Sequence, residues 1–118
     1  MELFEIELPE SEDVAADLEE QVMELIINSG NARSLAYMAL ACAKCGEISQ
    51  AEEKMQEARD ALNGAHLVQT KLIEQDQGEG KTKMTLIMVH AQDHLMTSML
   101  ARELISEMIE LYKRLSSC

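Results

Sequence analysis

Three stretches of this chain repeat small or apolar residues at alternating intervals of four and three. That spacing keeps one side of an α-helix turned toward a neighbour. The first series is Leu18, Val22, Leu25, Ser29, Ala32, Ala36, Ala39 and Ala43. The second is Ala51, Met55, Ala58, Leu62, Ala65 and the segment Val68–Leu72. The third runs from Leu86 to Leu111. Few residues can interrupt it all: five glycines and one proline, Pro9, stand among 118 residues. Aromatics are 3%, so Ala, Leu, Ile and Met must fill the core. Ala and the straight-chain side chains among them lose little entropy in a helix. The reading is an all-α chain of three helices in one domain, residues 13–118, after a loose acidic segment over 1–12.

The boundaries follow from local chemistry. Ser11, followed by Glu12 and Asp13, can satisfy free amides at the start of a first helix. Gly46 is a stop for that helix near Lys44. Gly30 interrupts the first series at a cost of about 1 kcal/mol relative to Ala. It marks a bend, a close helix contact or a break into two helices. Ser49 opens the second helix. "QGEGK" (Gln77 to Lys81) is a loop, and the third helix is expected from Thr82 to Leu115.

The third helix carries two stripes. Leu86, His90, Asp93, Thr97, Leu100, Leu104, Glu107 and Leu111 form one. Met84, Met88, Ala91, Leu95, Ser98, Ile105, Ile109 and Tyr112 form the other. A single three-helix bundle needs only one apolar face per helix. The second face needs a cover, and the spacing therefore implies a symmetric oligomer with this helix near its axis.

A net charge of −12 argues against nucleic acid, where acidic side chains would meet phosphates. It argues equally against an anionic membrane surface. No window reaches the roughly 18 apolar residues of a membrane span, and the start "MELFEIELPESED" lacks the basic-then-apolar order of a secretory signal. Cys42, Cys45 and Cys118 are too few and too uneven for a disulfide framework. A cytoplasmic protein is expected.

The chemistry-bearing residues concentrate in "MVHAQDHLMT" (Met88 to Thr97). His90 and Asp93 share a helix face and, with Thr97, make a polar patch inside an apolar stripe. A solvated stretch or a hydrogen-bonded histidine would explain it blandly. A functional reading is also open, because an imidazole titrates near neutrality and is a nucleophile. Copies of Asp93 brought together by symmetry would need a cation or protons to offset their repulsion. His90 and His94 have the spacing of a zinc-protease helix, but Ala91 stands where that motif needs a glutamate base. His94 lies about 40° around the helix from His90, placed to orient it or to satisfy a core hydrogen bond.

Other motifs carry less. Gly80–Thr82 reads "GKT", but Gln75 stands where a phosphate loop needs Gly and no strand precedes it. Lys81 and Lys83 near free helix amides are a weak second thought. Cys42 and Cys45 form a CxxC at the end of a helix, whereas redox pairs sit at the start of one. The nine methionines follow helical spacing and read as packing. His66 reads as a histidine hydrogen-bonded in the bundle or at its rim.

Taken together, "LIINSGNARSLAYMAL" (Leu25–Leu40), "GAHLVQTKLIEQDQGEGK" (Gly64–Lys81) and "LIMVHAQDHLMTSMLARELISEMIELYKRL" (Leu86–Leu115) resemble a known family. It is the lactose/cellobiose-type enzyme IIA of the bacterial sugar phosphotransferase system, with the middle segment nearest the N,N′-diacetylchitobiose branch. The Cys42/Cys45 pair and the N-terminal tail lie outside the resemblance. The likeness implies an antiparallel three-helix bundle assembled as a homotrimer. It implies that His90 accepts a phosphoryl group on Nε2 from the phosphocarrier HPr. A cysteine of the cognate enzyme IIB then takes the group, for uptake of a chitobiose- or cellobiose-type disaccharide through membrane-bound IIC. It implies further that Asp93 from three subunits surrounds a divalent cation at the axis, with Mg2+ the expected ion. Gln92, His94 and Thr97 are candidate supports for the phosphoryl group. One rival reading is a non-catalytic adaptor in which the His/Asp patch is only a metal-locked trimer clasp. The other is a CxxC redox protein.

Overall fold

A computed structural model describes the backbone of residues 2–80 and 82–117, with side chains over 17–80 and 82–116. The described residues form three α-helices: α1 (Glu2–Lys44), α2 (Ile48–Asp76) and α3 (Leu86–Ser117). Among the described residues there is no strand.

Two apolar clusters fix how the helices run. One joins Val22, Leu25 and Ala32 of α1 to Leu62, Val68 and Leu72 of α2 and to Met88, Ala91 and Leu95 of α3. The other joins Ala36, Ala39 and Ala43 to Ala51, Met55 and Ala58 and to Ile105 and Ile109. The middle of α1 thus meets the late part of α2 and the early part of α3, and its end meets the early part of α2 and the late part of α3. The path is up, down, up, with α1 and α3 parallel.

The four-three series on α1 and α2 is the buried one. Val22 to Ala43 on α1 and Ala51 to Leu72 on α2 line the core, with Leu18 packed at its edge. Alanine dominates the second cluster, and small side chains let helix axes approach closely. On α3 the core takes the stripe Met88, Ala91, Leu95, Ser98, Ile105 and Ile109. Met84 lies outside α3 and is exposed.

α1 differs at its start from the expectation. It begins at Glu2, so 2–12 is helical rather than a loose lead-in, and Ser11 lies inside the helix instead of opening it. Glu and Leu dominate Glu2–Leu8, and both are good helix formers. What the side chain of Ser11 does lies outside the described residues, as do Lys81 and Cys118. The same helix passes through Gly30 without a break.

The other end of α1 behaves as its glycine suggests. Gly46 has φ +81°, a conformation costly for a residue with a Cβ. The Gly46 amide donates to the Ala43 carbonyl at 3.0 Å and the Glu47 amide to the Cys42 carbonyl at 2.9 Å. That pair of bonds closes the helix and turns the chain into α2.

α3 starts four residues later than the spacing suggested. The Asp76 carboxylate accepts the Thr82 amide at 2.7 Å and the Gly80 amide at 3.3 Å, folding the loop back on the end of α2. Thr82 is therefore committed elsewhere. Thr85 supplies the cap: its Oγ1 accepts the Met88 amide at 3.2 Å, and its carbonyl accepts the Val89 amide at 3.1 Å. A threonine three residues before the capped amide is an ordinary helix start.

Candidate functional site

His90 stands in the second turn of α3, on its outer side, and its ring is exposed. His94, one turn on, is half-buried. The two rings stack, with centroids 5.9 Å apart and planes within 10°. On its other side His94 meets α1. A Cβ placed on Gly30 would lie 3.4 Å from His94 Nε2. Gly30 therefore marks a close helix contact, one of the three options that the sequence left open. Among the described residues, neither ring nitrogen of His94 has a hydrogen-bond partner.

The remaining residues of the motif divide by direction. Asp93 is exposed and lies about 60° around α3 from His90. Thr97 is exposed as well. Its hydroxyl donates to the carbonyls of Asp93 at 2.8 Å and His94 at 3.3 Å, the back-bonding typical of a helical threonine. Gln92 turns away, toward α2. Its Oε1 accepts from Gln69 Nε2 at 2.7 Å, and its own amide lies 3.8 Å from Met88 Sδ. Its position is about 160° around the helix from His90. The structure brings His90, His94, Asp93 and Thr97 to one side and separates Gln92 from them.

Apolar side chains surround this patch. Leu86 is 87% and Ile87 50% exposed, four and three residues before His90. Beyond Asp93 the stripe continues through Leu100, Leu104, Leu111 and Leu115, all more than half exposed. A groove between α1 and the start of α3 is lined by Leu18, Val22, Met23, Thr85, Ile87 and Met88.

A family model described as "PTS system, Lactose/Cellobiose specific IIA subunit" matches residues 20–113. The chain belongs to that family. It is a phosphotransferase component. The N,N′-diacetylchitobiose-specific EIIA component of Escherichia coli (strain K12) is 63% identical over 93% of this chain and 95% of that protein. A lichenan-specific phosphotransferase enzyme IIA component of Bacillus subtilis (strain 168) is 44% identical over 85% and 91%. Among solved structures, IIA(Chitobiose) in its complex with HPr, from the N,N′-diacetylchitobiose branch of the Escherichia coli phosphotransferase system, superposes with a TM-score of 0.74 at 67% identity. It covers 84% of this chain and 96% of that one. The cellobiose-specific enzyme IIA of Bacillus anthracis superposes with a TM-score of 0.80 at 45% identity, over 84% and 91%.

Within this IIA chain the other sequence candidates sit apart from His90. Cys42 is half-buried and Cys45 exposed, both as free thiols in the turn that ends α1. Cys42 Sγ lies 4.0 Å from Gln50 Oε1. His66 is exposed on α2, where its carbonyl accepts the Thr70 hydroxyl at 2.9 Å. Gly80 belongs to the loop, with φ +70°. Among the described residues of one chain, no group of three or more His, Cys, Asp or Glu could hold a metal. No described helix is long and apolar enough to cross a membrane.

Two features of this region are not evident from the spacing. Gln69 lies inside the apolar segment Val68–Leu72, and a glutamine there signals a partner across the α2–α3 contact, which Gln92 supplies. Met23, exposed on α1, lines the groove beside the start of α3 but falls outside the four-three series.

Proposed function

We propose that this IIA chain is a cytoplasmic phosphocarrier that takes a phosphoryl group from phospho-HPr on His90 and delivers it to a cysteine of enzyme IIB. The sugar served is a disaccharide of the chitobiose or cellobiose type. The observation that carries this reading is the placement of one exposed imidazole in a ring of exposed apolar side chains, a surface two partners can use in turn. The family, and the solved relative held with HPr, support it.

The chemistry is within the reach of these residues. A neutral imidazole has one nitrogen with a free lone pair. With the proton on Nδ1, Nε2 attacks the phosphorus of the HPr phosphohistidine. A new N–P bond forms as the N–P bond to HPr breaks. In the second step the IIB thiolate attacks that phosphorus and His90 leaves with the electron pair. Such transfers depend on positioning and on stabilising charge over the equatorial oxygens. His94, beside His90, is placed to help. Thr97 already donates its hydroxyl to backbone, and Gln92 is engaged with α2, so neither is favoured. The net charge of −12 suits a basic rim on either partner.

Three copies of the chain supply the cover that the exposed stripe of α3 calls for. Threefold packing about this stripe would gather the Asp93 carboxylates at the axis. An oxygen-only donor set from one exposed carboxylate per chain suits a hard cation such as Mg2+. Its role would be structural, offsetting the clustered charge, with His90 left at the edge of the interface.

Incubation with enzyme I, HPr and phosphoenolpyruvate tests the phosphocarrier reading. Acid-labile phosphate should appear at one equivalent per chain and vanish in His90→Ala. A His90→Ala chain that still took up phosphate would rule out the assignment. A wild-type chain that took up none would leave the metal-locked adaptor as the better account.

A further inference from the structure

Gly30 has an ordinary helical backbone. The glycines with positive φ are Gly46, Gly78 and Gly80, so conformational freedom does not explain a glycine inside α1. An alanine there would favour the helix. What the missing Cβ does provide is room. Its ideal position lies 3.4 Å from His94 Nε2, the tight end of van der Waals contact. Gly64 offers a comparison within the same bundle: a Cβ there would meet Asn28 Nδ2 at 3.6 Å, far along the chain from both histidines.

We propose that Gly30 is a positioning residue for phosphoryl acceptance: its bare Cα seats the edge of the His94 ring on α1, and His94 in turn sets the plane of the His90 imidazole stacked upon it. The inference rests on His90 being the acceptor. Three observations combine in it. The rings are nearly parallel at 5.9 Å, so a tilt of one is felt by the other. His94 is half-buried and has no hydrogen bond to hold it among the described residues, so its orientation follows the surfaces it touches. Two of those surfaces are the His90 ring and Gly30. An alanine at 30 would set its methyl against the His94 edge at that distance and narrow the tilt open to the ring. A change in how a reacting group is held costs rate even where it costs no stability.

The test uses the full-length chain with its phospho-HPr donor. Gly30→Ala and Gly64→Ala are each made in the wild-type and the His94→Ala backgrounds. Two readouts are taken: the single-turnover rate of transfer from phospho-HPr, and the NMR resonances of the His90 ring protons, which need no activity. Gly30→Ala should keep or raise the melting temperature, shift the His90 ring resonances and slow transfer by about three- to tenfold. In the His94→Ala background it should shift nothing further. Gly64→Ala should leave rate and resonances unchanged in both backgrounds. Resonances and a rate within twofold of wild type for Gly30→Ala would overturn the proposal. So would a shift of the same size with His94 absent, because Gly30 would then not act through that ring. Absence of labelling at His90 in the wild-type control would instead overturn the phosphocarrier reading itself.

Discussion

The two stripes of α3 have the same period and nearly opposite fates. Met88, Ala91, Leu95, Ser98, Ile105 and Ile109 are sealed against α1 and α2. Leu86, Leu100, Leu104 and Leu111, equally apolar and equally regular, are each more than half exposed. The polar members also differ in kind. On the inner stripe the polar residue is a small one, Ser98, whose Oγ is buried without a partner, a modest cost for a single hydroxyl. The outer stripe carries His90, Asp93, Thr97 and Glu107, groups far too costly to bury in a monomer's core. Folding the chain satisfies one stripe. The other keeps its apolar surface and its titratable groups available for association and chemistry.

The contrast predicts distinct losses from equivalent truncations. Leu95 is fully buried, so Leu95→Ala should lower unfolding free energy by about 2–5 kcal/mol through lost transfer and a residual cavity. Chemical denaturation followed by circular dichroism measures this. Leu104, on the outer stripe, should behave otherwise. Leu104→Glu should leave the helical signal intact while converting the proposed trimer to monomer in sedimentation, since association would bury three new carboxylates. If instead Leu104→Glu unfolded the chain, the two stripes would not be energetically separable.

The sequence exposed the stripes but not which would be buried. Both read as apolar at the same spacing, and only the neighbours decide. The seams of α1 and α2 were legible because each carries one unbroken four-three series of small and apolar residues. The start of α3 was not, because "GKT" looks like a helix opening until Asp76 claims the Thr82 amide. Thr85, the true cap, was hidden among the apolar residues Met84, Leu86 and Ile87. The His90 patch stood out because polar residues interrupt an apolar series. Its internal division did not: Gln92 sits between His90 and His94 in sequence, yet faces Gln69 across the bundle. Gly30 was visible as an anomaly whose cause needed the partner helix. The start of α1 was misjudged where charge and helix propensity pointed in opposite directions.

Asp93 sharpens the contrast in the opposite sense from Leu104. It is the one aspartate on the outer stripe, and three copies near an axis would repel unless a cation intervened. Asp93→Leu replaces three clustered charges with three apolar groups. Such replacements are commonly neutral or stabilising by about 1–4 kcal/mol. If the proposed trimer forms, the variant should therefore keep it, with a dissociation constant equal to or lower than wild type. Its sedimentation should also become insensitive to a chelator, whereas the proposed wild-type trimer should weaken when divalent cations are removed. Dissociation of Asp93→Leu into monomers would show that the carboxylate contributes a specific contact rather than a tolerated charge.

The smallest effect is expected where the inner stripe runs out. Lys113, one turn beyond Ile109, is exposed and bridges to Glu52 of α2 at 2.8 Å, with Glu110 at 3.9 Å. The hydrogen bond to Glu52, and then the charges of Glu52 and Glu110, raise its pKa above the ordinary 10.5. A lysine whose folded pKa is raised contributes its stability below the unfolded value and loses it as pH climbs through the folded one. Lys113→Gln should therefore differ from wild type only slightly at neutral pH, as exposed pairs do. The difference should fade above about pH 10.5 and shrink with added salt at any pH. Thermal melts at low and high salt across that range measure it. A large, salt-insensitive loss at neutral pH would mean that this end of the α2–α3 contact is held by the ion pair rather than by Met55 and Ile109, and the inner stripe would be polar at its terminus in energy as well as in sequence.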